Sequence, residues 1–486
     1  MRKIVTIFVM LVMTVASIQA QPMRAYLSYA TFDTPDNQPY IETYLTIQNS
    51  SLKQIKQENG SYSGKLNVQI IFRQNDTIMN YGKYELAGPE IVDTLDNILT
   101  FLDVHRYALT AGVYDLELAL DDLNDTVEQI VSHTTFRIGF PKDSISISDI
   151  EFLKSYEKKE GSGILDKNGY GVTPYVFNSF PEEEKELKFY AEIYHADKNI
   201  GNGDYIVYEY IRPFEVDKKM DNFFYMKRMK SGPVSVLMNS IDISKLATGN
   251  YLLVIEARDR KNELMASKEL FFYRNNPEIS FNESVAMATD VSNTFVKNID
   301  NRDSLLLYID YLYPISTASE KIYVKSIFKT ADLKTLQKYF YSFWQDRDKV
   351  DPEGAWLTYL QRVKEANANF KTMRIPGYRS DRGRVYLQYG KPNVIAESHN
   401  EPAAFPYEIW HYYQIGGQHD IKFVFYTKDL VTNDFQLIHS NMMGELSNYR
   451  WQSQLYGRTW DSYSIDDMIV PNSYGSFATD YYEQPR

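Results

Sequence analysis

Beyond residue 20, apolar and polar residues alternate in short runs broken by turn residues, the pattern of antiparallel strands with one face buried. Ile41, Thr43, Leu45 and Ile47 share one face of such a run. So do Leu66, Val68, Ile70 and Phe72, and further on Tyr114, Leu116, Leu118 and Leu120. A repeat lies inside this pattern. Leu109-Thr-Ala-Gly112-Val-Tyr114-Asp-Leu aligns with Leu246-Ala-Thr-Gly249-Asn-Tyr251-Leu-Leu, at an offset the size of one small β-domain. Each copy continues through a polar turn into a last strand, 134–140 and 269–273. The glycine is expected to relax the backbone where a loop enters a strand. The tyrosine is expected to face inward with its hydroxyl at the rim, as in the corner of an immunoglobulin-like sandwich. The pattern predicts two tandem β-sandwiches, over 21–142 and 146–275. Between them, Leu165-Asp-Lys-Asn168-Gly169 reads as a turn, since the further ligands of a calcium loop are missing.

After Asn275-Asn-Pro277 the period becomes helical. Leu333, Leu336, Phe340, Phe343 and Trp344 form one stripe, and Trp356, Tyr359, Leu360, Val363 and Phe370 another. Asp351-Pro352 is an N-cap followed by proline at the first helical position. Such stripes pack a core, so 276–372 is read as a helical region. From 373 to 445, Ser380 can cap a helix through Tyr389, with Gly390 stopping it and Pro392 preventing continuation. Strand-like runs at 407–414, 421–426 and 435–440 follow. The fold class is therefore multidomain β plus α+β, ending in a helix beside a three-stranded antiparallel meander. The 446–486 segment, rich in Tyr, Ser and Asp, is read as a C-terminal arm, extended or partly disordered.

Composition narrows the function by exclusion. The chain has 486 residues, room for about three domains at roughly 150 residues each. Its 64 acidic and 52 basic side chains give a net charge of −12, unfavourable for general binding of nucleic acid or anionic lipid. The absence of cysteine excludes disulfides, cysteine-ligated zinc, iron–sulfur clusters, a thiol nucleophile and a lipid-modified N-terminal cysteine. Met1-Arg-Lys3, the apolar run from Ile4 to Ile18 and the small residue Ala20 make the three-part pattern of a secretory signal over 1–20. The expected mature chain has no membrane span and lies outside the cytoplasm.

The stretch Gly377-Tyr378-Arg379-Ser380-Asp381-Arg382-Gly383-Arg384-Val-Tyr-Leu-Gln-Tyr389-Gly390-Lys-Pro392 resembles the signature of the GWxTD-domain family of exported bacterial proteins common in Bacteroidota. Tyr378 stands for the family's tryptophan and Ser380 for its threonine, which keeps an aromatic plate followed by a hydroxyl cap beside an acid. Phe343-Trp-Gln-Asp-Arg-Asp348, Ala366-Asn-Ala-Asn-Phe370, Tyr407-Glu-Ile-Trp410-His-Tyr412 and Lys422-Phe-Val-Phe425 fall in the family's order. The resemblance is dense from about 335 to 450, and it implies an exported protein, periplasmic or outer-membrane-associated; the absence of cysteine adds the expectation that it is not a lipoprotein. It implies no established chemistry. A capped helix ending in Gly-x-Pro before a Trp-bearing meander is also similar in fold to the SmpA/OmlA-type lipoprotein of the outer-membrane barrel assembly machine.

No nucleophile elbow, zinc-protease helix or phosphate loop occurs, and the seven histidines are scattered. His411 and His439 could meet across strands near Ser380, the arrangement a hydrolase would need, but Ser380 is better explained as a helix cap. Asp381 is expected to favour the positive helix end, with Arg382 and Arg384 solvated or paired to it. No catalytic, cofactor or metal site is assigned. The favoured reading is a non-enzymatic envelope scaffold acting on protein partners, without nucleic acid. A carbohydrate-binding protein is the first alternative and a hydrolase the second. Five Asp-Ser/Thr-aliphatic triplets, centred on Thr77, Thr94, Thr126, Ser144 and Ser304, look like the O-glycosylation sequon of exported Bacteroidota proteins and make those residues candidate glycan sites.

Overall fold

The computed structural model describes residues 23–483, except 76, 93–98, 126–128, 160, 162, 202, 278–289, 417, 449 and 457–476. The segment 1–20, read as an export signal, lies outside the described residues.

The alternating runs become two β-sandwiches. In the first, strands Ala25–Phe32, Tyr40–Gln48 and Thr100–Ala108 form one antiparallel sheet. The facing sheet runs in the order Thr77–Ala87, Lys65–Gln74, Gly112–Asp122 and Ile130–Ile138. Ile41, Leu45 and Ile47 meet Val68, Ile70, Phe72 and Leu116 in the space between them. Each such side chain contributes about 1.5–3 kcal/mol by leaving water. In the second sandwich, Glu186–Tyr194 lies between Glu151–Lys158 and Val234–Asp242. It faces a sheet ordered Ser179–Phe180, Leu264–Arg274, Gly249–Arg258, Asp204–Pro213 and Phe224–Lys230.

The repeated motif builds the same corner twice. Tyr114 Oη donates to Thr110 O at 3.0 Å, and Tyr251 Oη donates to Ala247 O at 3.0 Å. The two rings stack on Phe136 and Phe272, each at 5.6 Å. The glycines serve a different purpose from the one expected, since neither Gly112 nor Gly249 has a positive φ. A Cβ on Gly249 would approach the Tyr251 ring to 3.2 Å, and one on Gly112 would meet Gln74 Nε2 at 2.2 Å. The Tyr251 ring leaves little room for a Cβ at position 249, whereas Gln74 is a flexible side chain that can swing away from one at position 112.

The two sandwiches are joined by a buried lysine. Asn168 (φ 47°) and Gly169 (φ 81°) make the turn that the Asn-Gly pair announces, and this delivers Lys167 into the junction. Its Nζ lies 2.9 Å from Glu42 Oε1 of the first sandwich and 2.5 Å from Glu151 Oε2 of the second. It also sits 4.3 Å from the centroid of the Phe32 ring. Glu42 is completely buried, and its Oε1 accepts from Tyr44 Oη at 3.0 Å. Arg106 Nε donates to the other oxygen at 2.8 Å.

The helical region comprises Arg302–Tyr311, Ala318–Ile327, Leu333–Arg347 and Pro352–Phe370. Their N-caps are Asn301, Thr317, Asp332 and Asp351, with Glu320 completing a capping box at Thr317. Leu336, Phe340, Phe343, Trp344, Trp356, Tyr359 and Val363 form its core, as their spacing predicts. The helix Asp381–Tyr389 then packs on an antiparallel sheet of four strands, Val394–Ser398, Tyr407–Ile415, Gln418–Tyr426 and Gln436–Ser440. The meander has one strand more than expected. Val394–Ser398 buries only Ala396 and so carries no apolar alternation to reveal it. Of the 446–486 segment, Trp451–Leu455 and Ala478–Glu483 are short helices lying on the outer face of this sheet.

Candidate functional site

The Gly377–Pro392 segment begins with one 3-10 turn, Gly377–Arg379, that leads directly into the helix Asp381–Tyr389. Two glycines set how closely it nests. A Cβ on Gly377 would lie 2.1 Å from Ala366 O, and one on Gly383 would lie 1.8 Å from Gly377 O. No side chain fits at either position. Ser380 is the N-cap: its Oγ accepts from Gly383 N at 3.1 Å and donates to Gly377 O at 2.8 Å. At 2% exposure, that hydroxyl has both its roles filled within the turn.

Tyr378, where the resemblance places tryptophan, is buried edge-on to Tyr311 with ring centroids 4.7 Å apart. Its hydroxyl donates to Asp310, which also receives Arg379 Nη2 at 2.6 Å. Burial, reinforced by Asp310, pushes the phenol well above its usual range. Asp381 belongs to the first helical turn, and its Oδ2 accepts from Leu437 N at 2.8 Å, tying the helix start to the last strand.

The two arginines behave differently from expectation, for neither is solvated or paired to Asp381. Arg382 is 5% exposed and donates to Glu408 Oε1 at 2.5 Å and Asn433 Oδ1 at 2.7 Å, with its guanidinium 4.0 Å from the Phe435 centroid. Burial lowers its pKa and Glu408 opposes that shift. The other Glu408 oxygen accepts from Trp410 Nε1 at 2.9 Å. Trp410, fully buried, stands 5.3 Å from Phe370 and 5.0 Å from Phe425 between ring centroids. Arg384 holds Glu445 in a two-point pair, at 2.7 and 2.8 Å. Tyr389 Oη donates to the same carboxylate at 2.7 Å. A helix presenting Asp381, Arg382 and Arg384 in four residues sends them to three different partners because the sheet and its following loop wrap around it. Gly390 ends the helix at φ 86°, its carbonyl accepts from Tyr412 Oη at 2.9 Å, and Pro392 is buried.

The acids that complete these pairs, Asp310, Glu408 and Glu445, are absent from the sequence reading. Glu408 left a signal: it lies in the row Glu408, Trp410, Tyr412, an acid on an otherwise aromatic strand face.

The histidines do not assemble. His411 Nε2 lies 2.8 Å from Asp420 Oδ1, whereas His439 accepts from Asn448 N at 3.1 Å through Nδ1 and meets Tyr482 Oη at 2.9 Å through Nε2. Neither bonds Ser380. Glu397, His399 and Glu408 could bring ligand atoms within 4.8 Å of one another, but both Glu408 oxygens are already committed to Arg382 and Trp410. The group is thus poorly suited to a metal ion. A cavity of about 220 Å³ beside Thr427, Asp429 and Asp434, and a shallow one of about 560 Å³ beside Lys297, Asp332 and Lys334, contain no motif residue in their walls. Among the candidate glycan sites, Thr77 is exposed at the start of a strand, Ser144 is exposed in a bend, and Ser304 is part-buried in the first turn of a helix. Thr94 lies outside the described residues, as does Thr126.

No curated protein matches the chain. Among solved structures, the fibronectin(III)-like modules of Clostridium thermocellum CbhA are similar at 10% identity, over 49% of this chain and 88% of that one, with a TM-score of 0.15. So poor an overlay adds nothing to the sandwich topology described above. The profile of the GWxTD domain family matches residues 282–454. The match takes in helices that sequence analysis set apart from the motif. The Tyr378–Asp310 bond and the packing of Gly377 on Ala366 explain why helices and motif form one unit. Residues 282–454 of the chain are accordingly a GWxTD domain.

Proposed function

We propose that this chain is an exported, non-enzymatic cell-envelope protein that acts as an interaction or assembly scaffold. The observation that carries this reading is the use to which the motif's polar groups are put. Ser380, Asp381, Arg382 and Arg384 all bond partners within the domain, so the motif builds a rigid platform and presents no reactive group. Surfaces for recognition lie on the sandwiches and on the C-terminal region, where Tyr313, Ile322 and Tyr413 are exposed. The edge strand Thr77–Ala87 exposes Ile78, Met79 and Tyr81, and the edge strand Phe224–Lys230 exposes Tyr225 and Met226. Exposed aromatic and methionine side chains of this kind are enriched at protein interfaces. Export rests on the basic-apolar-Ala pattern of 1–20, and a periplasmic or outer-membrane location on the family's bacterial setting. Glycan at Thr77 or Ser144 fits the exposure of both residues.

Affinity purification of the native protein from its own envelope, followed by mass spectrometry, tests the scaffold. A reproducible envelope partner is expected; turnover of ester or peptide substrates with no partner would refute it. Sequencing the mature N-terminus should begin at Gln21, and an intact mass above that of the bare polypeptide should reveal the glycan.

A further inference from the structure

The outer face of the last sheet is covered by the 477–483 segment. Tyr407, Ile409 and Val424 are buried there together with Trp451, Leu455 and Ala478, and Tyr481 and Tyr482 pack at the margin. Helix Ala478–Glu483 has six residues, against the roughly 12–15 an isolated helix needs in water. The face it covers therefore confers its structure. Side-chain contacts fix its position. Gln452 Nε2 donates to Thr479 Oγ1 at 3.1 Å, and His439 Nε2 lies 2.9 Å from Tyr482 Oη. Lys422 Nζ stands 5.1 Å above the Tyr482 ring.

The covalent connection does not decide which copy's segment fills this face. Residues 457–476 separate Tyr456 from Phe477, yet both ends reach one atom: Glu401 Oε1 accepts from Tyr456 Oη at 3.0 Å and from Phe477 N at 3.2 Å. Twenty residues are not needed to span that gap, and fully extended they reach about 65–70 Å. We propose that this face is a docking groove for the 477–483 segment, and that a second copy's segment enters it reciprocally to make an exchanged dimer. Every contact named above is reproduced in trans, so exchange sacrifices none of them. A short connection holds the segment near its own groove at an effective concentration on the order of millimolar. Exchange is therefore expected where copies are crowded to a similar density. The inference is independent of the envelope reading.

The chain has no cysteine, which makes the test direct. Full-length Gln452→Cys and Thr479→Cys variants are mixed at about 1 mM and at a hundredfold dilution, then treated with a short bis-maleimide. A covalent heterodimer is expected at the high concentration and not at the low one, while the double variant links to itself at both. Heterodimer no more abundant than the dimer formed by either variant alone would overturn the exchange. A double variant that fails to link to itself would overturn the groove.

Discussion

Arg382 and Glu408 face each other at 2.5 Å with 5% and 7% exposure, a buried ion pair that ties the motif helix to the centre of the sheet. Removing one partner leaves the other charged and desolvated, which costs about 3–5 kcal/mol. Arg382→Met and Glu408→Met are each expected to lower the melting temperature of the GWxTD domain sharply. The Arg382→Met/Glu408→Met pair should recover much of the loss. A double-mutant cycle on thermal unfolding measures the coupling, and additive effects would contradict it.

The turn predicts an order among three substitutions. Ser380→Ala removes a cap and should cost about 1 kcal/mol. Gly383→Ala should cost more, because its Cβ would lie 1.8 Å from Gly377 O, a backbone atom that cannot rotate away. Gly390→Ala meets no atom within 4 Å but holds φ 86°, so its cost should be backbone strain of about 1–2 kcal/mol. Denaturant midpoints of the three variants rank them.

His439 gives the domain a pH dependence with a definite sign. Burial lowers its pKa from 6.5 to about 4, so the unfolded chain takes up the proton first. The contribution is fully present above pH 6.5, and it declines as pH falls from there towards 4. At about 1.4 kcal/mol per pH unit, the decline is on the order of 3 kcal/mol. Protonation at Nδ1 would also set a donor against the Asn448 N–H that now bonds it. His439→Gln should flatten the stability profile relative to the parent between pH 6.5 and 4, and unchanged profiles would rule the assignment out.

Lys167→Met should uncouple the sandwiches. It leaves Glu42 and Glu151 buried without their shared cation, an imbalance worth about 3–5 kcal/mol. Burial already pushes the Glu151 carboxyl up, with Lys167 holding it down. Urea unfolding should change from one transition to two, and adding Glu42→Gln and Glu151→Gln should restore much of the stability.

The strand and helix periods were legible because each element has one wet and one dry face, and the corner tyrosines because the repeat spells them out. The Tyr40–Gln48 strand was only half legible. Ile41, Leu45 and Ile47 announce the inner face. Glu42 and Tyr44 read as solvent-facing, yet the second sandwich lies over them and both are buried. Alternation reports the core of one unit and is silent on what docks against its back. The motif was legible as a cap and a helix stop, since those depend on neighbours in sequence. Its arginines were not, because Glu408 and Glu445 stand 26 and 61 residues away.

The lysine between the sandwiches also limits how such a chain can lengthen. Tandem β-domains grow readily by duplication when each is self-sufficient and the linker carries no chemistry. Here the cation and the turn that delivers it belong to the second sandwich, and one of its acids to the first. A third sandwich inserted between them would strand Lys167 opposite a surface without Glu42. The two sandwiches are therefore a single piece in this respect, and a chain lengthened by a third should keep them adjacent and carry the addition at an end.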